Sequence, residues 1–292
     1  MTEFLKRTLS GAGFVACIVG SIIWHPIAFC GLLLVIMMWA VHEFHAMVGS
    51  DTPTKWGSIA ATVVLWGGTQ WIVMVPEEVL SHQSWGLYAL IAAAYMLIII
   101  GVLLEELWEK ENNPIHNWGN LFISQAMIAF PLTTLGSLLY LDKWLLLALF
   151  VLIWTNDTGA YCVGSLTAKY MPGGNHKMFI RVSPKKSWEG LVGGIVLTIG
   201  IAYLLGTFGW FDSIAGEGHN SAIIFGFAAL TCAFGTFGDL MESLMKRTAG
   251  VKDSGHFLPG HGGVLDRFDS ILLASPLLAI YCYICYMLLS LF

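Results

Sequence analysis

Apolar stretches about as long as a bilayer is thick recur along nearly the whole chain, and they leave few folds open. A hydrocarbon core about 30 Å thick is crossed by roughly 20 helical residues. Nine candidate spans fit, at 9–24, 26–42, 57–75, 85–104, 119–139, 144–165, 188–208, 221–240 and 271–291. Inside lipid every backbone N–H and C=O must be satisfied within its own segment, so helices are expected. Charge is too scarce for any other class: Asp, Glu, Lys and Arg make up 11% of the 292 residues against 57% apolar, where soluble domains average about 25% charged. The expected fold is therefore all-α, a polytopic integral membrane protein with about nine transmembrane helices. A disordered chain, a nucleic-acid-binding domain and a secreted soluble scaffold are excluded.

Basic residues set the expected sidedness. Threading nine spans places Lys6, Arg7, Lys55, Lys110, Lys169, Lys177, Arg181, Lys185, Lys186, Lys246, Arg247, Lys252 and Arg267 on the side of the N-terminus, and Lys143 alone opposite. Thirteen to one under the positive-inside rule makes the N-terminus cytoplasmic and Phe292 external. Treating the first two spans as one helix broken at His25-Pro26 worsens the split to eleven to three; a tight turn is expected there, since proline ends a helix and disfavours helix before it. The first span carries no cleavage site and is expected to be retained. Loops 76–84 and 209–220 hold no Lys or Arg and read as connectors. Residues 1–142 are expected to form N-terminal transmembrane helices. Residues 143–292 should form a C-terminal catalytic region with cytoplasmic loops at 166–187 and 239–270. The six cysteines indicate neither a disulfide framework nor a zinc site, and Cys282 and Cys285 are expected to pack within the last span.

The chemistry gathers on the cytoplasmic side. Asp239, Glu242, Ser243 and Lys246 stand at i, i+3, i+4 and i+7 and share a helical face. Downstream, Pro259, Gly260, Gly262 and Gly263 make a loop whose amides can approach an anion closely. It leads to Asp266 and Asp269 on one face of the next helix, hard oxygen donors suited to Mg²⁺. Lys246, Arg247, Lys252 and Arg267 surround them. Acids to hold a metal beside cations to hold phosphates point to phosphoryl or nucleotidyl transfer. His256 and His261, with Asp253, are too loosely spaced for a zinc site, and His261 is read as a phosphate donor or a loop-fixing residue. Within the sixth span, Asp157 falls roughly 18–20 Å across the bilayer, a depth at which an ionisable residue ordinarily faces a wet cavity. The run Ser183-Pro184-Lys185-Lys186-Ser187-Trp188-Glu189-Gly190 places cations at a helix start, a ready phosphate site or an anchor to anionic headgroups. Glu43, between His42 and His45 at the end of the second span, is read as an interface anchor.

Ser243-x-x-Lys246-Arg247, Lys252-Asp253, Pro259 and His261-Gly262-Gly263-x-x-Asp266-Arg267-x-Asp269 resemble the signature of the phosphatidate cytidylyltransferases, the CDP-diacylglycerol synthases. Asp157 to Tyr161 and Ser183 to Gly190 are similar to that family's two other blocks, so the likeness covers about 150–275, with the first half matching only in hydropathy. The resemblance implies an integral membrane enzyme that joins CTP and phosphatidate into CDP-diacylglycerol and pyrophosphate with Mg²⁺; the short loops point to a bacterial inner membrane, and the charge split puts the chemistry on the cytoplasmic side of the lipid bilayer. It assigns Asp239, Asp266 and Asp269 to the metal, with Asp266, Lys252 and Arg267 at the reacting centre. Lys185, Lys186, Ser187, Ser243, Lys246, Arg247, His261, Gly262, Gly263 and Asp157 would line the substrate pocket. No nucleic-acid partner is implied, and a homodimer is compatible. A CTP-using enzyme of another lipid, such as an ether-lipid cytidylyltransferase or a polyprenol kinase, shares this chemistry. An ion-coupled transporter does not, because its path would polarise the outer half of several spans.

Overall fold

A computed structural model of the chain describes residues 3–74, 82–108, 113–216, 218–255, 257 and 262–290, with side chains set aside at 3–9, 72–74 and 82–85. Lys110, most of the 76–84 connector, His256 and Pro259 to His261 lie outside the described residues. The protein is all-α, with one small β-hairpin. Its helices are α1 (Glu3–Trp24), α2 (Pro26–Val48), α3 (Thr52–Met74), α4 (His82–Glu105), α5 (Pro114–Ser124), α6 (Phe130–Leu141), α7 (Lys143–Tyr170), α8 (Trp188–Thr207), α9 (Asp212–Ala215), α10 (Ser221–Thr248), α11 (Leu265–Phe268) and α12 (Ile271–Leu289). Every expected span falls on a long helix. Among the described residues, seven helical segments are both long and apolar enough to cross a membrane, and the expected spans on α1 and α3 are not among them.

The break at His25-Pro26 is present: His25 is extended and caps α2, its ring accepting from the Ile27 amide. The fifth span departs from a uniform helix. Residues Gln125–Ala129 form a π-turn between α5 and α6, ending two residues before Pro131, whose missing N–H and bulky ring loosen the preceding turn.

The chain divides into two compact units. The first comprises Met1–Tyr140 with Asp253–Phe268. Its core follows the helical period of α2, burying Phe29, Leu33, Met37, Ala40, Val41 and Phe44. The polar residues of α3 are not a wet face. Ser58 and Thr62 are fully buried, and the Gln125 amide at the π-turn donates to the Ser58 carbonyl (3.0 Å) and the Thr62 hydroxyl (3.3 Å). By contrast α4 exposes Leu90, Met96, Leu97, Ile100 and Leu104, as a lipid-facing helix should.

The second unit comprises Leu141–Lys252 with Asp269–Phe292. The first half of α7 is apolar all round and buried from Leu145 to Phe150, the mark of a central helix. Helix α7 packs along α8, and α10 packs on α8 and α12. Cys282 and Cys285 are buried and free, as their place in an apolar helix required.

Two expected loops are more ordered than a loop reading allows. Within 166–187, α7 continues to Tyr170, and strands β1 (Lys177–Phe179) and β2 (Ser183–Ser187) pair antiparallel. Within 239–270, α10 continues to Thr248 and stops at a Schellman cap: Gly250 is left-handed at φ 76°, its amide donates to the Arg247 carbonyl, and Val251 N–H reaches the Lys246 carbonyl. The charged residues of 239–247 are therefore helical, because that cap, and not the membrane edge, ends the helix.

Candidate active site

In the second unit, close backbone approach builds the site. A Cβ on Gly194 would stand 2.8 Å from the Asn156 carbonyl oxygen, and one on Gly190 would stand 2.7 Å from that of Ala160. Only glycine lets α7 and α8 meet at that distance, the small-residue packing that membrane helices use. The contact brings the start of α8 beside Asn156 and Asp157. Ser187 caps α8 by accepting from the Gly190 amide at 3.1 Å. Glu189 in the first turn accepts from the His176 amide at 3.0 Å, tying the helix to the stretch leading into β1.

Strand β2 then delivers Lys185 and Lys186 to the mouth of a cavity of about 330 Å³, lined among others by Asn156, Asp157, Lys185, Lys186, Ser187 and Asp239. Its volume lies near the lower end of small-ligand pockets. Lys186 Nζ stands 2.6 Å from Asp239 and 3.4 Å from the Thr236 carbonyl. Asn156 also reaches α10, donating to the Thr236 hydroxyl at 3.4 Å.

The face expected from Asp239, Glu242, Ser243 and Lys246 is present, with its members in two pairs. The Ser243 hydroxyl donates to Asp239 at 3.2 Å. Lys246 forms a buried ion pair with Glu242 at 2.6 Å, one helical turn apart. Arg247 donates to the Val251 carbonyl at 3.0 Å, while Lys252 and Arg267 are exposed. Asp269 enters the same unit through a second close approach, since a Cβ on Gly238 would stand 2.6 Å from the Asp269 carbonyl oxygen. The charges acting on Asp269 include Asp239, Asp157 and Lys246. Asp157 and Asp239 line one cavity, but with Asp269 they do not gather closely enough to share one ion; among the described residues the acids grouped that closely are Asp51, Glu105 and Glu106.

Asp266 lies in the first unit, where it organises a loop. Its oxygens accept from the Ser254 amide at 3.0 Å and the Gly263 amide at 2.7 Å. Gly262 is left-handed (φ 82°), and a Cβ there would press on the Asp266 carboxylate. Glu43 is the residue the sequence reading misplaced. It is 5% exposed and no interface anchor. One oxygen accepts from the Trp39 indole at 3.0 Å, and the other from the Ser254 hydroxyl at 3.2 Å and the Leu265 amide at 3.0 Å. The available signal was an acid directly after an apolar span, on a helix that continues to Val48. Its partner lies more than 200 residues away, which no local pattern shows.

The fold and pocket define a polytopic membrane protein that sets paired cations and carboxylates at the end of a helix hairpin. The cytidylyltransferase family model matches residues 5–285, and the chain belongs to that family. Phosphatidate cytidylyltransferase of Haemophilus influenzae is 36% identical over 199 residues, 66% of this chain and 63% of that protein. The protein of the same name from Staphylococcus haemolyticus is 33% identical over 213 residues, 72% of this chain and 74% of its own. The one from Staphylococcus aureus is 41% identical over 131 residues, 45% and 46%. The matched part spans less than two thirds of the Haemophilus influenzae and Staphylococcus aureus relatives.

Proposed function

We propose that this chain is a CTP:phosphatidate cytidylyltransferase acting at the cytoplasmic face of a bacterial inner membrane. The observation that carries the reading is the convergence on one cavity of three separate stretches: Asp157 on α7, Lys185 to Ser187 before α8, and Asp239 on α10. In the reaction, an oxygen of the lipid phosphate bonds to the α-phosphorus of CTP as the bond to the β-phosphate oxygen breaks. CDP-diacylglycerol and pyrophosphate result. A phosphate monoester has its second pKa near 6, so the nucleophile is largely ionised at neutral pH and needs no strong base. What it needs is relief from repulsion between two polyanions. Lys185 and Lys186 supply that at the cavity, and exposed Arg247 and Lys252 are further cations of the same unit for the triphosphate and the departing pyrophosphate.

A magnesium ion would be held at the cavity by Asp157 and Asp239, while Asp266 orders the loop that carries the signature. Bound there, the ion would offset phosphate charge and orient the α-phosphoryl group. Lys186 holds Asp239 in place, and Ser243 fixes its other oxygen. The purified protein in mixed micelles should transfer label from CTP marked at the α-phosphate into lipid when given phosphatidate, and not when given diacylglycerol. Label entering lipid from the γ-phosphate, with none from the α, would replace the reading with that of a lipid kinase.

A further inference from the structure

We infer that Glu43 of α2 is a positioning residue for the signature segment, fixing Ser254, Gly255 and the turn from Gly263 to Asp266 in the form the reaction uses. The inference rests on the cytidylyltransferase reading and deepens it. Glu43 lies in the half of the chain that holds none of the signature residues, and among the described residues its carboxylate bonds to this segment and to its own helix. Oε2 accepts from the Ser254 hydroxyl (3.2 Å) and the Leu265 amide (3.0 Å), while Oε1 accepts from Trp39 one turn earlier (3.0 Å). Trp39 in turn packs on Phe257, the ring centroids 4.8 Å apart.

The segment is shaped around this carboxylate. A Cβ on Gly263 would meet a Glu43 oxygen, and one on Gly255 would stand 2.5 Å from the other. The two glycines therefore stand where any side chain would displace the acid. Ser254 joins two carboxylates at once: its hydroxyl goes to Glu43 and its amide to Asp266. Asp266 closes the turn through the Gly263 amide. Removing Glu43 leaves a buried hydroxyl and a buried amide without their acceptor, and frees the part-buried Trp39 indole N–H; buried donors in that state move until they find others. Asp266 and Arg267 move with them.

The test uses the full-length protein in mixed micelles, with Glu43→Gln, Glu43→Ala, Ser254→Ala and the Glu43→Gln/Ser254→Ala double variant. Turnover, KM for CTP, and amide exchange at Ser254, Gly263 and Leu265 are measured for each. Turnover of Glu43→Ala should fall on the order of 100-fold, the scale of an ångström misplacement, with KM for CTP moving less than about threefold, because Lys185, Lys186 and Asp239 are untouched. Glu43→Gln keeps an acceptor and should recover at least tenfold over Ala. The double variant should lose little beyond the worse single one, as residues acting through one contact do. Wild-type turnover in Glu43→Ala, or a loss seen wholly in KM, overturns the inference, as does strict additivity in the double variant. Should the wild type itself fail to label lipid, the functional reading fails and exchange alone decides: faster exchange at Ser254 and Leu265 in Glu43→Gln upholds the positioning role, and unchanged exchange overturns it.

Discussion

Gly238→Ala sets two physical effects against each other. In a helix interior, alanine for glycine ordinarily stabilises by about 0.5–1 kcal/mol, because the unfolded chain loses freedom. Here the added methyl would stand 2.6 Å from the Asp269 carbonyl oxygen, 3.1 Å from that of Ser270 and 3.3 Å from the Ser270 carbonyl carbon. All three are backbone atoms, so no side chain can swing aside, and α10 must part from the start of α12 by about half an ångström. Overpacking of this kind costs about 1–3 kcal/mol, which outweighs the helix gain. Asp239 follows Gly238 directly, so the displacement also separates it from Asp269, and turnover should drop by about tenfold or more. Gly200→Ala on α8 is the control. A Cβ there meets nothing within 4 Å, and that variant should be as stable as the parent and fully active. Thermal unfolding in detergent and CTP incorporation read both. A Gly238→Ala protein as stable and active as Gly200→Ala would refute the close-contact account of how Asp239 and Asp269 are brought together.

Two further outcomes follow. Asp266→Asn keeps one acceptor oxygen for the Ser254 and Gly263 amides but removes its charge; with bonds to a charged group worth about 1.5–3 kcal/mol against about 0.5–1.5 for neutral ones, the loop should loosen by roughly 2–3 kcal/mol, read as faster amide exchange at both residues, and parental exchange would remove the loop-ordering role. Once the exposed Cys17 and Cys162 are replaced, a probe cysteine at exposed Gly218 should react with an impermeant thiol reagent in intact cells and one at exposed Lys177 should not; the reverse pattern would overturn the N-inside orientation drawn from the thirteen-to-one charge split.

The helical membrane class was legible in the sequence because the bilayer imposes one length and one hydrogen-bonding rule on every span, and both appear as local composition. The acids and cations of the site were legible for a related reason. Ionisable residues in a chain that is 11% charged stand out, and their spacing on α10 reports a helical face. Their partners were not legible. Glu242, read as sharing a helical face with Asp239, Ser243 and Lys246, is fully buried in an ion pair with Lys246. Lys186 finds Asp239 across 53 positions of sequence, and Glu43 finds Leu265 across 222. Helix periodicity fixes which face a residue occupies and says nothing of what that face meets. That was decided by backbone contacts at Gly190, Gly194 and Gly238, where the lack of a side chain lets helices close to a distance that only tertiary packing reveals.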